Sequence, residues 1–179
     1  VAKQTKIKGE YKKMNTQLLR GVAIFVALLL VQVLVFNHIH LFNCATPLLY
    51  IYVVLLFPRN IPRWMALLSG FVMGFFVDIF SNTPGVSMAS TTFMGLIQPY
   101  MLVLFLQRDS ADDLCPSIRS LGVTRFICYT FLMVLIYCTL FFTLETFNFF
   151  NWLQWLECIA GSTTITVVLA ITLENFRSK

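Results

Sequence analysis

The feature that most limits this chain is the recurrence of long apolar runs with short polar breaks between them. Six such runs are read along the sequence: about Leu18–Phe36, Leu41–Phe57, Trp64–Phe80, Ser87–Leu106, Phe126–Phe147 and Trp152–Leu173. Most approach the roughly 20 residues that an α-helix needs to cross a hydrocarbon core. They are apolar on every side, which excludes the alternating strands of an outer-membrane barrel. Of the 179 residues 58% are hydrophobic and 12% charged, about half the charge of a soluble domain. A soluble core of this size cannot hide that surface. The chain is therefore expected to be an all-α integral membrane protein, a bundle of six transmembrane helices.

The basic residues set the expected topology. Lys3, Lys6, Lys8, Lys12, Lys13 and Arg20 precede or open the first run, and Arg59 and Arg63 lie between the second and third. Arg108, Arg119 and Arg125 lie between the fourth and fifth, and Arg177 and Lys179 follow the sixth. With six crossings all 13 fall on one side, which the positive-inside rule makes the cytoplasm. Both termini are then cytoplasmic, and residues 37–40, 81–86 and 148–151 lie outside. Residues 15–176 form one transmembrane domain, with a basic tail at 1–14 and a short cytoplasmic end at 177–179. The tail reads either as a flexible cytoplasmic segment or as an extension upstream of a start at Met14. The net charge of +5 follows from these topology determinants and is no nucleic-acid signal.

Asp78 is the sharpest candidate for a functional residue. Gly70, Gly74 and Asp78 are spaced four apart, so they share one stripe of a helix. Glycines on such a stripe let a second backbone come close. Pro84 and Gly85 follow in a turn. Two roles are open for Asp78: acceptor for backbone amides of that turn or of the next helix, or a proton- or ion-coupling site. Gln98 and Pro99 interrupt the fourth run. Proline frees a carbonyl one turn back, near Gly95, and favours a kink, and Gln98 has the groups to bond across helices. "AGSTT", residues 160–164, reads as a packing face.

Other constellations carry less. His38 and His40 have a spacing that can chelate a metal in an extended segment, but no third ligand follows from the sequence, so no metal or cofactor is expected. The odd number of cysteines, 5, without a CxxC pair reads as small apolar packing residues. Trp152 and Trp155 suit an interfacial belt, and Glu145 and Glu157 lie near the same outer boundary. No serine-protease nucleophile motif, second membrane aspartate, P-loop or HExxH is present. An enzyme is not expected.

The stretch "GFVMGFFVDIFSNTPGVSMASTTFMGLIQPYML" resembles the signature region of the MreD family, bacterial rod shape-determining membrane proteins. In that family a glycine-rich third helix ends in an aspartate. A short Ser/Pro/Gly turn and a helix of small residues follow. Gly70, Gly74, Asp78, Pro84 and Gly85 match this pattern, and "PLLYIYVVLLFPRNIPRW" resembles the second span and its basic turn. The resemblance implies a non-enzymatic subunit of the cell-elongation, peptidoglycan-synthesising machinery in the bacterial inner membrane. Its implied partners are MreC, RodA with its transpeptidase, and the MreB filament system. It further implies a bundle similar to the substrate-binding subunits of ECF transporters. That similarity supplies the alternative function, a membrane subunit that binds a vitamin-like small molecule.

Overall fold

The structure, a computed structural model, describes residues 23–32, 34, 46–59, 61–106, 116–146 and 152–178. Its regular elements are all helical among these residues. They are α1 (Ala23–Gln32), α2 (Ile51–Leu55), α3 (Arg63–Ser81), α4 (Val86–Phe105), α5 (Ile118–Leu121), α6 (Val123–Thr146) and α7 (Trp152–Ser178). Four helices, α3, α4, α6 and α7, are long and apolar enough to cross a membrane. Much of their surface is apolar and exposed, including Phe71, Phe75, Phe131, Leu153 and Val168. Water would not tolerate such a surface, and lipid suits it. The chain is a helical membrane protein.

The third, fourth and fifth spans fall within about three residues of their expected limits, and the sixth starts at Trp152 as expected but continues past Leu173 to Ser178. The first span is described only from Ala23 onward, and α1 there is an apolar helix of ten residues by its limits, Ala23–Gln32. The second differs from expectation. One span over about Leu41–Phe57, with Pro47 in its first half, is expected, but residues 46–50 are not helical and α2 has 5 residues. The cause is local. Pro47 has no N–H to give a helix and disfavours helical geometry at Thr46. The tail at 1–14, the His38 and His40 pair, and the expected outer segments 37–40 and 148–151 lie outside the described residues.

The core forms around this interrupted segment. Every residue of α2 is buried, with Ile51 and Leu55 wholly so. It packs against α4 and α6, among Met94, Leu102, Phe126, Met133 and Tyr137. α3 and α4 form a hairpin with the most extensive helix contact, and α6 packs on α7. Arg59, Arg63, Arg119, Arg125 and Arg177 all lie at one end of the long helices, at or next to the starts of α3 and α6 and the close of α7. Arg63 lies over the Tyr100 ring at 5.6 Å from its centroid, which brings the start of α3 to the last turns of α4.

Candidate functional site

The turn between α3 and α4 is built from residues with special backbone needs. Asn82 closes α3 with φ 55°, and Gly85 opens α4 with φ 87°. Asparagine tolerates this left-handed region better than most residues, and glycine enters it freely. Pro84 stiffens the link between them. Gly85 brings no side chain to cap α4, so the first amides of α4 need another acceptor.

Asp78 supplies it from the last turn of α3. One carboxylate oxygen accepts the Ser87 amide at 2.9 Å and the Thr83 hydroxyl at 3.1 Å. The other accepts the Met88 amide at 2.9 Å. These are the amides that an N-cap side chain ordinarily takes, and the negative charge meets the positive end of the α4 dipole. The carboxylate is buried, with 7% of the residue exposed.

Gly70 and Gly74 lie on the side of α3 that meets α4. A Cβ at Gly70 would come within 2.7 Å of the Thr91 carbonyl oxygen. One at Gly74 would overlap the Met88 backbone and the Thr91 hydroxyl. Gly95 repeats the relation from α4, where a Cβ would meet the Ala66 carbonyl oxygen at 2.8 Å. The Thr91 hydroxyl lies 2.7 Å from both the Gly70 and Ser87 carbonyl oxygens. The hairpin is thus held by backbone contact through three glycines and by one hydroxyl bridge.

Gln98 is fully buried and ties α4 to α2 and α6. Its side-chain amide donates to the Phe57 carbonyl at 3.1 Å and to the Tyr129 hydroxyl at 3.3 Å. It thereby takes up a carbonyl beyond the end of α2. Pro99, next to it, is half-buried inside α4, which continues as helix to Phe105.

Comparison with protein-family models, with curated proteins and with solved structures finds no match. The site is therefore read from its own chemistry.

Two further clusters are not among the residues that the sequence singles out as a site. The first surrounds the break before α2. Gln32 of α1 donates to the Pro47 carbonyl at 3.0 Å and accepts the Leu49 amide at 2.9 Å. From α7, Ser162 accepts the Thr46 amide and Thr166 the Leu48 amide, both at 3.1 Å. Non-helical backbone at membrane depth is tolerated where protein groups satisfy it. Here two flanking helices supply those groups. Ser162 lies in the "AGSTT" stretch, so that stretch meets the break as well as packing. Below it, Tyr50 and Tyr137 pair their hydroxyls in the core.

The second cluster lies at the arginine-bearing end. Glu174, 1% exposed, accepts the Tyr52 hydroxyl at 2.5 Å, the Arg177 guanidinium at 3.2 Å and the Ile118 amide at 3.4 Å. It joins α2, the start of α5 and the end of α7. The signal for both clusters was a polar residue inside or at the edge of an apolar run, Gln32 and Glu174, since such residues in membrane spans face protein.

Proposed function

We propose that this chain is a non-enzymatic scaffold subunit of the bacterial cell-elongation machinery. It crosses the inner membrane six times, keeps both termini in the cytoplasm, and binds MreC and the RodA synthase complex through its helix surfaces. The reading starts from the resemblance of residues 47–64 and 70–102 to the MreD family. Support beyond resemblance comes from how five of the buried polar side chains are used. Gln32, Asp78, Ser162, Thr166 and Glu174 each bond to backbone groups of this same chain. A solute-binding subunit needs polar side chains that converge on a ligand. These converge on turns, breaks and helix ends. Interrupted helices in transporters coordinate ions or substrates with their freed backbone groups. In this chain the freed groups at 46–49 are taken by side chains of α1 and α7.

The test is affinity purification in mild detergent from a rod-shaped bacterium, joined to depletion of the protein. Co-purification of MreC and RodA, with rounding of depleted cells, is the expected result. A tightly bound vitamin-like molecule in the purified protein, or rescue of cell shape by an added vitamin, would replace the scaffold with the transporter reading.

A further inference from the structure

We propose that the outward face of the α3–α4 hairpin is a binding site for one anionic phospholipid, with its phosphate on Arg63 and an acyl chain along the furrow between the two helices. The furrow is lined by Leu67 and Phe71 of α3 and by Ala89, Thr92, Phe93 and Leu96 of α4. Arg63 stands one turn before Leu67, and Tyr100 one turn after Leu96. The two stripes therefore run alongside each other and meet at the arginine over the tyrosine ring, 5.6 Å from its centroid. That contact places a positive charge about one turn beyond the end of the apolar furrow.

The lining is suited to methylenes. Thr92 spends its hydroxyl on the Met88 carbonyl of its own helix at 2.7 Å. Ala89 forms a low floor, while Phe71, Phe93 and Leu96 stand as half-exposed walls. The glycine contacts bring the two helix backbones together beneath, so the furrow is narrow. A partner helix needs about 8–10 Å between axes and would ride over it, whereas a single chain fits within it. From Met88 to Leu96 the α4 lining spans about 12 Å at 1.5 Å per residue, most of one leaflet of a core roughly 30 Å thick.

The charge points to an anionic headgroup. The first turn of α3 holds no acidic residue. Among the described residues Asp78, Glu145 and Glu157 lie toward the opposite end of the bundle, and Glu174 is bonded to Arg177. Arg63 is exposed, Arg59 lies in the same connection, and Trp64 beside it is 65% exposed, as suits an interfacial anchor. Planar guanidinium is well matched to phosphate oxygens, and a basic pocket between helices at this level is a headgroup site.

The test uses the full chain purified in a neutral detergent and exchanged with phosphatidylglycerol or phosphatidylcholine, with retained lipid measured by native mass spectrometry. Phosphatidylglycerol is expected to be retained about five-fold over phosphatidylcholine, the scale of one arginine near an anionic surface. Arg63→Gln is expected to remove that preference with the lipid-free melting temperature unchanged, and Arg63→Lys to keep most of it. Ala89→Phe, which fills the furrow, is expected to reduce retention of both lipids. Equal retention of the two lipids by the wild-type chain overturns the proposal, as does a preference that survives Arg63→Gln or retention that survives Ala89→Phe. It is likewise overturned if Arg63→Gln releases a co-purifying membrane protein and leaves lipid retention intact. Should Arg63→Gln fail to fold, Arg63→Met, which keeps an apolar stem beside the Tyr100 ring without the charge, is expected to lose the preference for phosphatidylglycerol, and a preference that survives it overturns the proposal.

Discussion

The carboxylate of Asp78 accepts the amide of Met88 at 2.9 Å across the α3–α4 turn. A side chain in the last turn of α3 thus caps the start of α4. Its second oxygen holds the Ser87 amide, so each oxygen has its own task. Asp78→Asn keeps one acceptor oxygen and turns an N–H₂ toward the other amide. A loss of about 1 kcal/mol is expected, the scale of one hydrogen bond. Asp78→Leu leaves both amides without an acceptor where water is scarce and is expected to cost about 2–4 kcal/mol. Thermal melts in detergent would rank the two. An Asp78→Asn protein as stable as wild type but inactive in cells would transfer the residue from a capping to a proton-coupling role.

Gly74 acts on the same hairpin by another route. Any Cβ there overlaps the Met88 backbone, which has no rotamer with which to yield. Gly74→Ala is expected to destabilise by about 1–3 kcal/mol, as overpacking does, although alanine is the better helix former. Gly74→Leu should separate the helices outright. Cross-linking between cysteines placed on α3 and α4 would read the separation, and undiminished cross-linking in Gly74→Leu would refute backbone contact at this point.

Gln32 serves the break before α2 with both ends of its amide. Gln32→Leu strands an amide and a carbonyl, at about 1–3 kcal/mol for each group. Ser162→Ala or Thr166→Val strands one amide each. Gln32→Leu is therefore expected to be the most damaging of the three, with faster hydrogen exchange at Leu49, while the Leu48 amide keeps its bond to Thr166. Equal exchange at the Leu49 amide in wild type and Gln32→Leu would show that the amide of Gln32 is not what holds the break.

Topology is open to direct labelling. With the arginine-bearing ends inside, Asn82→Cys is expected to react with an impermeant maleimide from outside intact spheroplasts. The native cysteines are replaced for this experiment. Reaction only after permeabilisation would reverse the orientation.

Much of this protein was legible from the order of its residues. Apolar runs of helical length define a membrane bundle because unsatisfied backbone in lipid is too costly for other open structures. The limits of α3, α4 and α6 and the start of α7 followed closely from where those runs begin and stop, while α7 continues beyond its run through Glu174 and Arg177. The four-residue spacing of Gly70, Gly74 and Asp78 places them on one stripe by helix geometry alone. What the spacing left open was the use of Asp78, because capping and ion coupling ask for the same residue type. The bonds of the carboxylate to the Ser87 and Met88 amides support capping, and they are a matter of where α4 begins in space. The break before α2 was further from reach. Pro47 announces an interruption, but its neighbours can lose their helix only if Gln32, Ser162 and Thr166 arrive to replace the lost bonds. Two of those residues lie more than a hundred positions away, at separations of 116 and 118 along the chain. Local sequence determines which backbone groups go unpaired, and only the packing of α1 and α7 against them decides what pairs with them.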